Sequence, residues 1–460
     1  MGPLVHPFEP QASLAAAKKE FGEFGGVNAS IESSTTFTVL HAGTMPEIFS
    51  GERNPDNGAC YLYARSFNPT VRYLGRQLAA LEGTQAAYPT SSGMAAITTT
   101  ILQLCNSGDH IIASSAVYGG TFALFRSFLP AKCNIQTTFV DISDLSAVES
   151  AMTSRTKVVF TEAISNPTLV VADLPALAEI AHRKGVKFVV DNTFSPMIIS
   201  PARWGADVVV HSLTKFISGA SDVIAGAVCG EADFIRALVD LQVGPVMLMG
   251  PTMDAKVASE LSLRLAHLGI RMAEHSRRAA AYAHRLHQMG AKVTYPGLRH
   301  HKQHELLGKL RNADYGYGGM LTVDFGSQQA AEQFMEYAQN TCGFGLMAVS
   351  LGYFDTLLSM SGSTTSSELN ESEKESAGIP SGLVRMSVGI TGTLEQRWLQ
   401  LRESYLAATS GHAKVGQPVV HSIDAMAEVQ AQKMADIITS QPLLDGPPHK
   451  LARTEDTAAR

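Results

Sequence analysis

The sequence predicts an α/β fold, with a mostly parallel central sheet and a smaller α+β domain toward the C-terminus. Three observations lead there. Between residues 84 and 230, short β-rich runs alternate with helical windows, the order of a parallel sheet covered on both faces. Runs such as the VVV of ADVVVHS are apolar without a break, as strands buried on both faces are. A long helical window, AKVASELSLRLAHLGIRMAEHSRRAAAYAHRLHQMG, then bridges to a second set of β-like runs.

Residues 1–60 mix Gly, Pro, Ser and Thr without sustained periodicity and read as an arm that reaches the neighbouring subunit, with one short helix over Ser13 to Phe21. Residues 61–290 make the large domain. It opens on VRYLGRQLAALEG, helical in spacing and closed by Gly83. The strands GDHIIAS, NIQTTFVD and TKVVFTEA follow, then the helix ADLPALAEIAHRKG, then VKFVVDN, ADVVVHS and DVIAGAVCG. Residues 291–408 form the small domain, with the β-like runs GGMLTVDF and GLVRMSVGI and a helix near QQAAEQFMEYAQN. Residues 409–460 read as a tail in which IDAMAEVQAQKMADII is an amphipathic helix.

With 460 residues, 45% hydrophobic and 17% charged, the chain has ample material for a buried core. A formal net charge of −6 offers no basic face for a phosphate backbone, which argues against nucleic acid as a partner. Five scattered cysteines without a CxxC pair are expected to be reduced thiols. The first residues lack the pattern of a secretory or organellar leader, and no run approaches the ~20 apolar residues of a membrane span. The expectation is a cytoplasmic protein with no membrane contact.

Several chemistries lack their fingerprints. GxGxxG after a strand, GxxxxGK[ST] and GxSxG are all missing. HKQHELLG starts like a zinc motif at His304 and Glu305, but Gly308 stands where the second histidine belongs, so with His300 and His301 it reads as a solvated loop and no metal is expected.

What remains is a set of residues at predicted strand ends. Lys215 follows ADVVVHS, flanked by the hydroxyls of Ser212 and Thr214. Asp191 ends VKFVV, where a buried carboxylate needs a cationic partner unless it caps the turn at Asn192. In TSSGMAAITTTILQL a Ser-Gly pair opens a long apolar helix, so the N–H groups of Gly93 and Met94 could receive a phosphate, while Ser91 or Ser92 serves equally as an N-cap. Tyr118 in SSAVYGGTF sits in a Gly-rich loop, suited to stacking on a flat ring and to moving a proton. Arg385 interrupts a β-like run, where a guanidinium needs an anion such as an amino-acid carboxylate. One cofactor asks for such a set together. Pyridoxal 5'-phosphate needs a lysine for its Schiff base, a carboxylate at its ring nitrogen, a phosphate cradle and a group against its ring plane.

With these residues in place, the chain resembles the Cys/Met-metabolism (trans-sulfuration) family of pyridoxal-phosphate enzymes over roughly Gly25 to Leu406. The resemblance is carried in order by YARSFNPT, EGTQAAYPTSSGMAAI, VVDNTFSP, DVVVHSLTKFISGASDVIAGAV and LVRMSVGI. It implies a fold-type I, aminotransferase-like subunit in a homotetramer of two catalytic dimers. Carried over by motif, it implies that Lys215 bears the cofactor, Asp191 pairs with the ring nitrogen and Tyr118 stacks on the ring. Gly93, Met94, Ser212 and Thr214 would hold the phosphate, Ser92 and Thr193 would also bind the cofactor, and Asn166 of SNPT would lie near it. Tyr63 and Arg65 would reach the phosphate in the neighbouring subunit, and Ser350 with Arg385 would take the substrate carboxylate.

Within the family, FGGVNASIESSTTFTV, DYGYGG and LMAVSLGYFDTLLSMSGSTTSSEL resemble the plant-type enzymes that act on methionine by γ-elimination. Val349 stands where cystathionine-using relatives carry an acidic residue, and an apolar side chain there suits a methyl thioether. Gly120 stands where bacterial methionine-cleaving relatives carry a cysteine. The implied activity is γ-elimination of methionine; γ-replacement on O-acetyl- or O-phosphohomoserine and γ-cleavage of cystathionine are the alternatives.

Overall fold

The computed structural model describes residues 8–409, apart from 51, 54–59, 66, 361, 363–373 and 375–377. Two sheets organise it. The first has seven strands: β1 (Ala86–Thr90), β2 (His110–Ser114), β3 (Gln136–Val140), β4 (Thr156–Glu162), β5 (Lys187–Asp191), β6 (Val208–Ser212) and β7 (Gly226–Gly230). Their order is β1-β7-β6-β5-β4-β2-β3, and every neighbouring pair from β6 to β3 is parallel. β7 alone runs against the others, antiparallel to both β6 and β1. The valines of β4, β5 and β6 are buried without alternation because apolar layers cover both faces, one cluster including Leu74, Leu177 and Val209, the other Ile101, Phe160 and Val210.

The second sheet combines β8 (Lys292–Thr294), β9 (Met320–Asp324), β10 (Leu346–Met347), β11 (Leu357–Met360) and β12 (Leu383–Ser387) in the order β10-β11-β12-β9-β8. It packs on a third apolar cluster that holds Tyr282, Phe334 and Leu401. β1 to β7 fall within residues 61–290 and β8 to β12 within 291–408.

Three local expectations are corrected, and one strand is added. The N-terminal helix spans Pro10–Ala16 rather than Ser13 to Phe21: the Glu9 carboxylate accepts the N–H groups of Gln11 and Ala12, Pro10 presets the first turn, and Ala17 leaves helical geometry at ψ 141°. Glu20 pairs instead with Arg76. The long bridging window is two helices, Ala255–Leu265 and Leu268–Gln288. Between them His267 adopts φ −113° and ψ 11°, and its Nδ1 accepts a hydrogen bond from Arg271 Nε. HKQHELLG is helical from His304 to Leu310, with His304 Nδ1 donating to the Pro296 carbonyl at 2.9 Å and its ring stacked on Tyr317. Finally, AAYPT forms β1, an edge strand, the place where a sheet tolerates Pro89. The tail helix expected at IDAMAEVQAQKMADII lies outside the described residues, as does the end of the SGSTTSSEL stretch. Among the described residues no helix is long and apolar enough to cross a membrane.

Candidate active site

The parallel strands all end at one edge of the large sheet, and the side chains beyond those ends converge on an open cavity of about 340 Å³. β1 is followed by Ser92 and the helix Gly93–Leu104, β2 by Tyr118, β4 by Asn166, β5 by Thr193 and β6 by Thr214 and Lys215. Ser350, Val349 and Arg385 enter from the second sheet. Thirteen of the fifteen residues singled out in the sequence therefore line one cavity. Tyr63 and Arg65 do not: Arg65 donates to the Met247 carbonyl at 2.7 Å and lies 5.6 Å from the Tyr63 ring centroid, outside the cavity of its own chain.

Lys215 sits one turn past β6, and its Nζ donates to Ser350 Oγ at 2.8 Å. Burial first, then the nearby Arg385 cation, push its amine down to about 8, so a neutral nucleophile is accessible near neutral pH. Ser350 is held at φ 121°, a conformation costly for a side-chain-bearing residue, by this bond and by Arg385 Nη2, which donates to its carbonyl at 2.8 Å. Gly352 lets that loop close: a Cβ there would stand 2.4 Å from the Phe216 nitrogen.

Arg385 lies in the middle of β12 between Ser359 and Thr322, only 2% exposed. Its Nη1 donates to Asn166 Oδ1 at 2.9 Å, while its Nε is buried without a partner. No carboxylate pairs with this guanidinium among the described residues, so one edge of it remains for an anion supplied from outside.

Asp191 ends β5 and faces the cavity. Its Oδ1 accepts the Thr193 N–H at 2.9 Å, so the turn-capping role is real, but it has no ion pair among the described residues. Burial pushes its carboxyl up, and Glu162, its register partner on β4, is pushed up to about 8 by burial and by Asp191 itself. Two acids side by side in an apolar wall call for a cation.

Glu162 escaped the sequence reading, although it ends an apolar strand as Asp191 does. Its Oε1 accepts the Tyr118 N–H and its Oε2 the Asn166 N–H, both at 2.7 Å. Tyr118 is 41% exposed above the cavity floor. At Gly120 a Cβ would come within 2.6 Å of Tyr118 Cε1, so the ring as placed here would have to shift to admit a side chain.

The other end of the cavity is built for an anion. Ser92 caps the twelve-residue helix through Ala95 N–H, leaving the N–H groups of Gly93 and Met94 without an intrahelical partner. Gly93 packs against β6 so closely that a Cβ would lie 2.7 Å from Ser212 Cβ. Thr214 Oγ1 is tied to Ala225 at 3.2 Å, and Thr193 Oγ1 accepts the Ser212 N–H at 2.8 Å. These residues fit pyridoxal phosphate: a helix N-terminus for its phosphate, unpaired Asp191 for its ring nitrogen, Tyr118 for its face and Lys215 for its carbonyl carbon. Among the described residues no three His, Cys, Asp or Glu side chains are placed to share a metal ion.

Comparison with known proteins agrees with this geometry. The chain is 58% identical over 399 residues to a methionine gamma-lyase of Arabidopsis thaliana, covering 86% of this chain and 90% of that one. It is 37% identical to an O-succinylhomoserine sulfhydrylase of Pseudomonas aeruginosa, covering 78% and 86%. A Campylobacter jejuni protein solved with N'-pyridoxyl-lysine-5'-monophosphate superposes with a TM-score of 0.80 at 26% identity, covering 86% of this chain and all of that one. The profile of the Cys/Met metabolism PLP-dependent enzymes matches residues 12–395, and the chain belongs to that family.

Proposed function

We propose that the chain is a methionine γ-lyase, converting L-methionine and water to methanethiol, 2-oxobutanoate and ammonia. The observation that carries the reading is the juxtaposition of an anion-ready Arg385 with the amine of Lys215, beside a cavity rim formed by the apolar side chains of Val349 and Ile224. The similarity to the Arabidopsis enzyme supports the same choice.

The bound cofactor supplies an electron sink for negative charge developing along the substrate's carbon chain. Arg385 and Ser350 hold the substrate carboxylate, which fixes Cα over Lys215. The Lys215 amine then removes and returns protons at the substrate carbons, a task suited to its lowered pKa. The Tyr118 hydroxyl delivers a proton to the departing sulfur. Asp191 would keep a proton on the ring nitrogen, Gly93, Met94, Ser212 and Thr214 would hold the phosphate, Ser92 and Thr193 would add to the cofactor's contacts, and Asn166 steadies Arg385. Val349 and Ile224 offer the methyl thioether an apolar surface at the cavity rim.

The catalytic unit in this reading is a dimer within a homotetramer. Tyr63 and Arg65 lie outside their own cavity, and the apolar side chains of Phe24 and Leu40 in the arm are more than nine-tenths exposed, so a second copy has residues to receive and surface to cover. The five cysteines are unpaired, consistent with the cytoplasm as the place of action.

The test is purified protein with L-methionine, following methanethiol and 2-oxobutanoate together, beside O-acetylhomoserine plus a thiol. Equimolar products from methionine, abolished by Lys215→Ala, support the lyase. Thioether formation from activated homoserine without turnover of methionine overturns it in favour of γ-replacement.

A further inference from the structure

We infer that Glu162 is a positioning residue that clamps the ring-stacking tyrosine and the carboxylate-binding arginine into one unit. The geometry is that of a single carboxylate at a strand end serving two separate loops. Oε1 takes the backbone N–H of Tyr118, which follows β2, and Oε2 takes the backbone N–H of Asn166, which follows β4 itself, both at 2.7 Å. Asn166 in turn accepts Arg385 Nη1 at 2.9 Å, so the chain of contacts runs from the second sheet to the ring-stacking loop through one buried side chain. Glu162 is 7% exposed and lines the same cavity.

A buried acid with an acidic register partner is expensive to keep for stability alone. The same site offers an apolar or amide side chain no way to accept two N–H groups at once. Each bond is made by a separate oxygen of the one carboxyl group, so both loops are tied to the same buried side chain. The positions of Tyr118 and Asn166 are thereby set from beneath, before any ligand arrives, and a carboxylate drawn in by Arg385 meets a group that is already immobilised through Asn166.

The inference rests on the cofactor-site reading and is independent of which amino acid is turned over. Its test uses two binding measurements. The cofactor-free protein is titrated with pyridoxal phosphate, and the loaded protein is titrated with L-norleucine, an α-amino acid without a leaving group at Cγ, following the cofactor absorbance.

Glu162→Gln keeps the size but turns one acceptor into a donor facing an N–H. It is expected to raise both dissociation constants by tenfold or more, with the circular dichroism of the folded protein retained. Glu162→Asp, which keeps the carboxyl group but withdraws its oxygens by one methylene, is expected to weaken both in the same direction and serves if the glutamine variant does not fold. Either folded variant binding both ligands within twofold of the parent overturns the proposal, even if it unfolds at lower urea. A failure of methionine turnover in the parent leaves both titrations readable, so the two readings fail separately.

Discussion

Replacing Arg385 by lysine is the sharpest test of substrate anchoring. In the folded chain Nη1 is committed to Asn166 and Nη2 to the Ser350 carbonyl, while Nε is buried and unpaired. Burial lowers the guanidinium only to about 10, so it stays charged at any working pH. A lysine carries one ammonium in place of the planar fork and cannot keep both internal bonds while also pairing with a carboxylate. The loss of one hydrogen bond to a charged group is about 1.5–3 kcal/mol. At ~1.4 kcal/mol per decade this is a fall in kcat/KM for methionine of roughly 10- to 150-fold. Because the carboxylate is bound equally in the ground and transition states, the change belongs mainly in KM. Initial rates of 2-oxobutanoate release across a wide methionine range separate the two parameters. A kcat/KM within threefold of the parent, or a loss confined to kcat, refutes carboxylate anchoring by Arg385.

Three further outcomes follow from the same geometry. The Lys215 amine is pushed down to about 8, and only the neutral amine attacks an aldehyde, so uptake of pyridoxal phosphate by the cofactor-free protein should speed up with pH and level off just above 8. A rate still climbing toward pH ~10.4, the ordinary lysine value, contradicts the assignment. Since the folded pKa lies below the unfolded one, the cofactor-free protein binds fewer protons than its unfolded chain between these values, and its urea midpoint should rise with pH across that window. Gly120→Ala places a methyl 2.6 Å from the Tyr118 ring and should displace it, lowering kcat at least tenfold, within the ~10²–10⁴ a positioned proton donor supplies, with little change in thermal stability. Unchanged kcat in this variant removes Tyr118 from proton delivery.

The large sheet was legible because β4, β5 and β6 are buried on both faces, and burial on both faces writes itself as unbroken apolar runs. Their ends, Asp191 and Ser212 to Lys215, were legible for the same reason, since polar residues closing an apolar run stand out. Glu162 closes TKVVFTEA in the same way, and the rule that singled out Asp191 applied to it. It was passed over because its partners are backbone N–H groups, which leave no mark in a sequence. β1 was hidden by Pro89, a residue that argues against a strand until the strand is known to be at an edge. The break between the two long helices was hidden because the apolar spacing continues across Ala266 and His267; the backbone turns there while the pattern does not.

The cavity draws its walls from Ser92 near the start of the first sheet and from Arg385 in the middle of the second. A nascent chain that has emerged only through β7 possesses the helix Gly93–Leu104 and Lys215 but neither Ser350 nor Arg385. The grip on a substrate carboxylate is therefore the last part of the site to form, and a cofactor that binds only the folded chain adds about 2.7 kcal/mol to its stability at a hundredfold excess over its dissociation constant. In a cell, the supply of this vitamin-derived molecule would thus set how long a completed chain survives proteolysis, tying the protein's abundance to nutrition as well as to its synthesis.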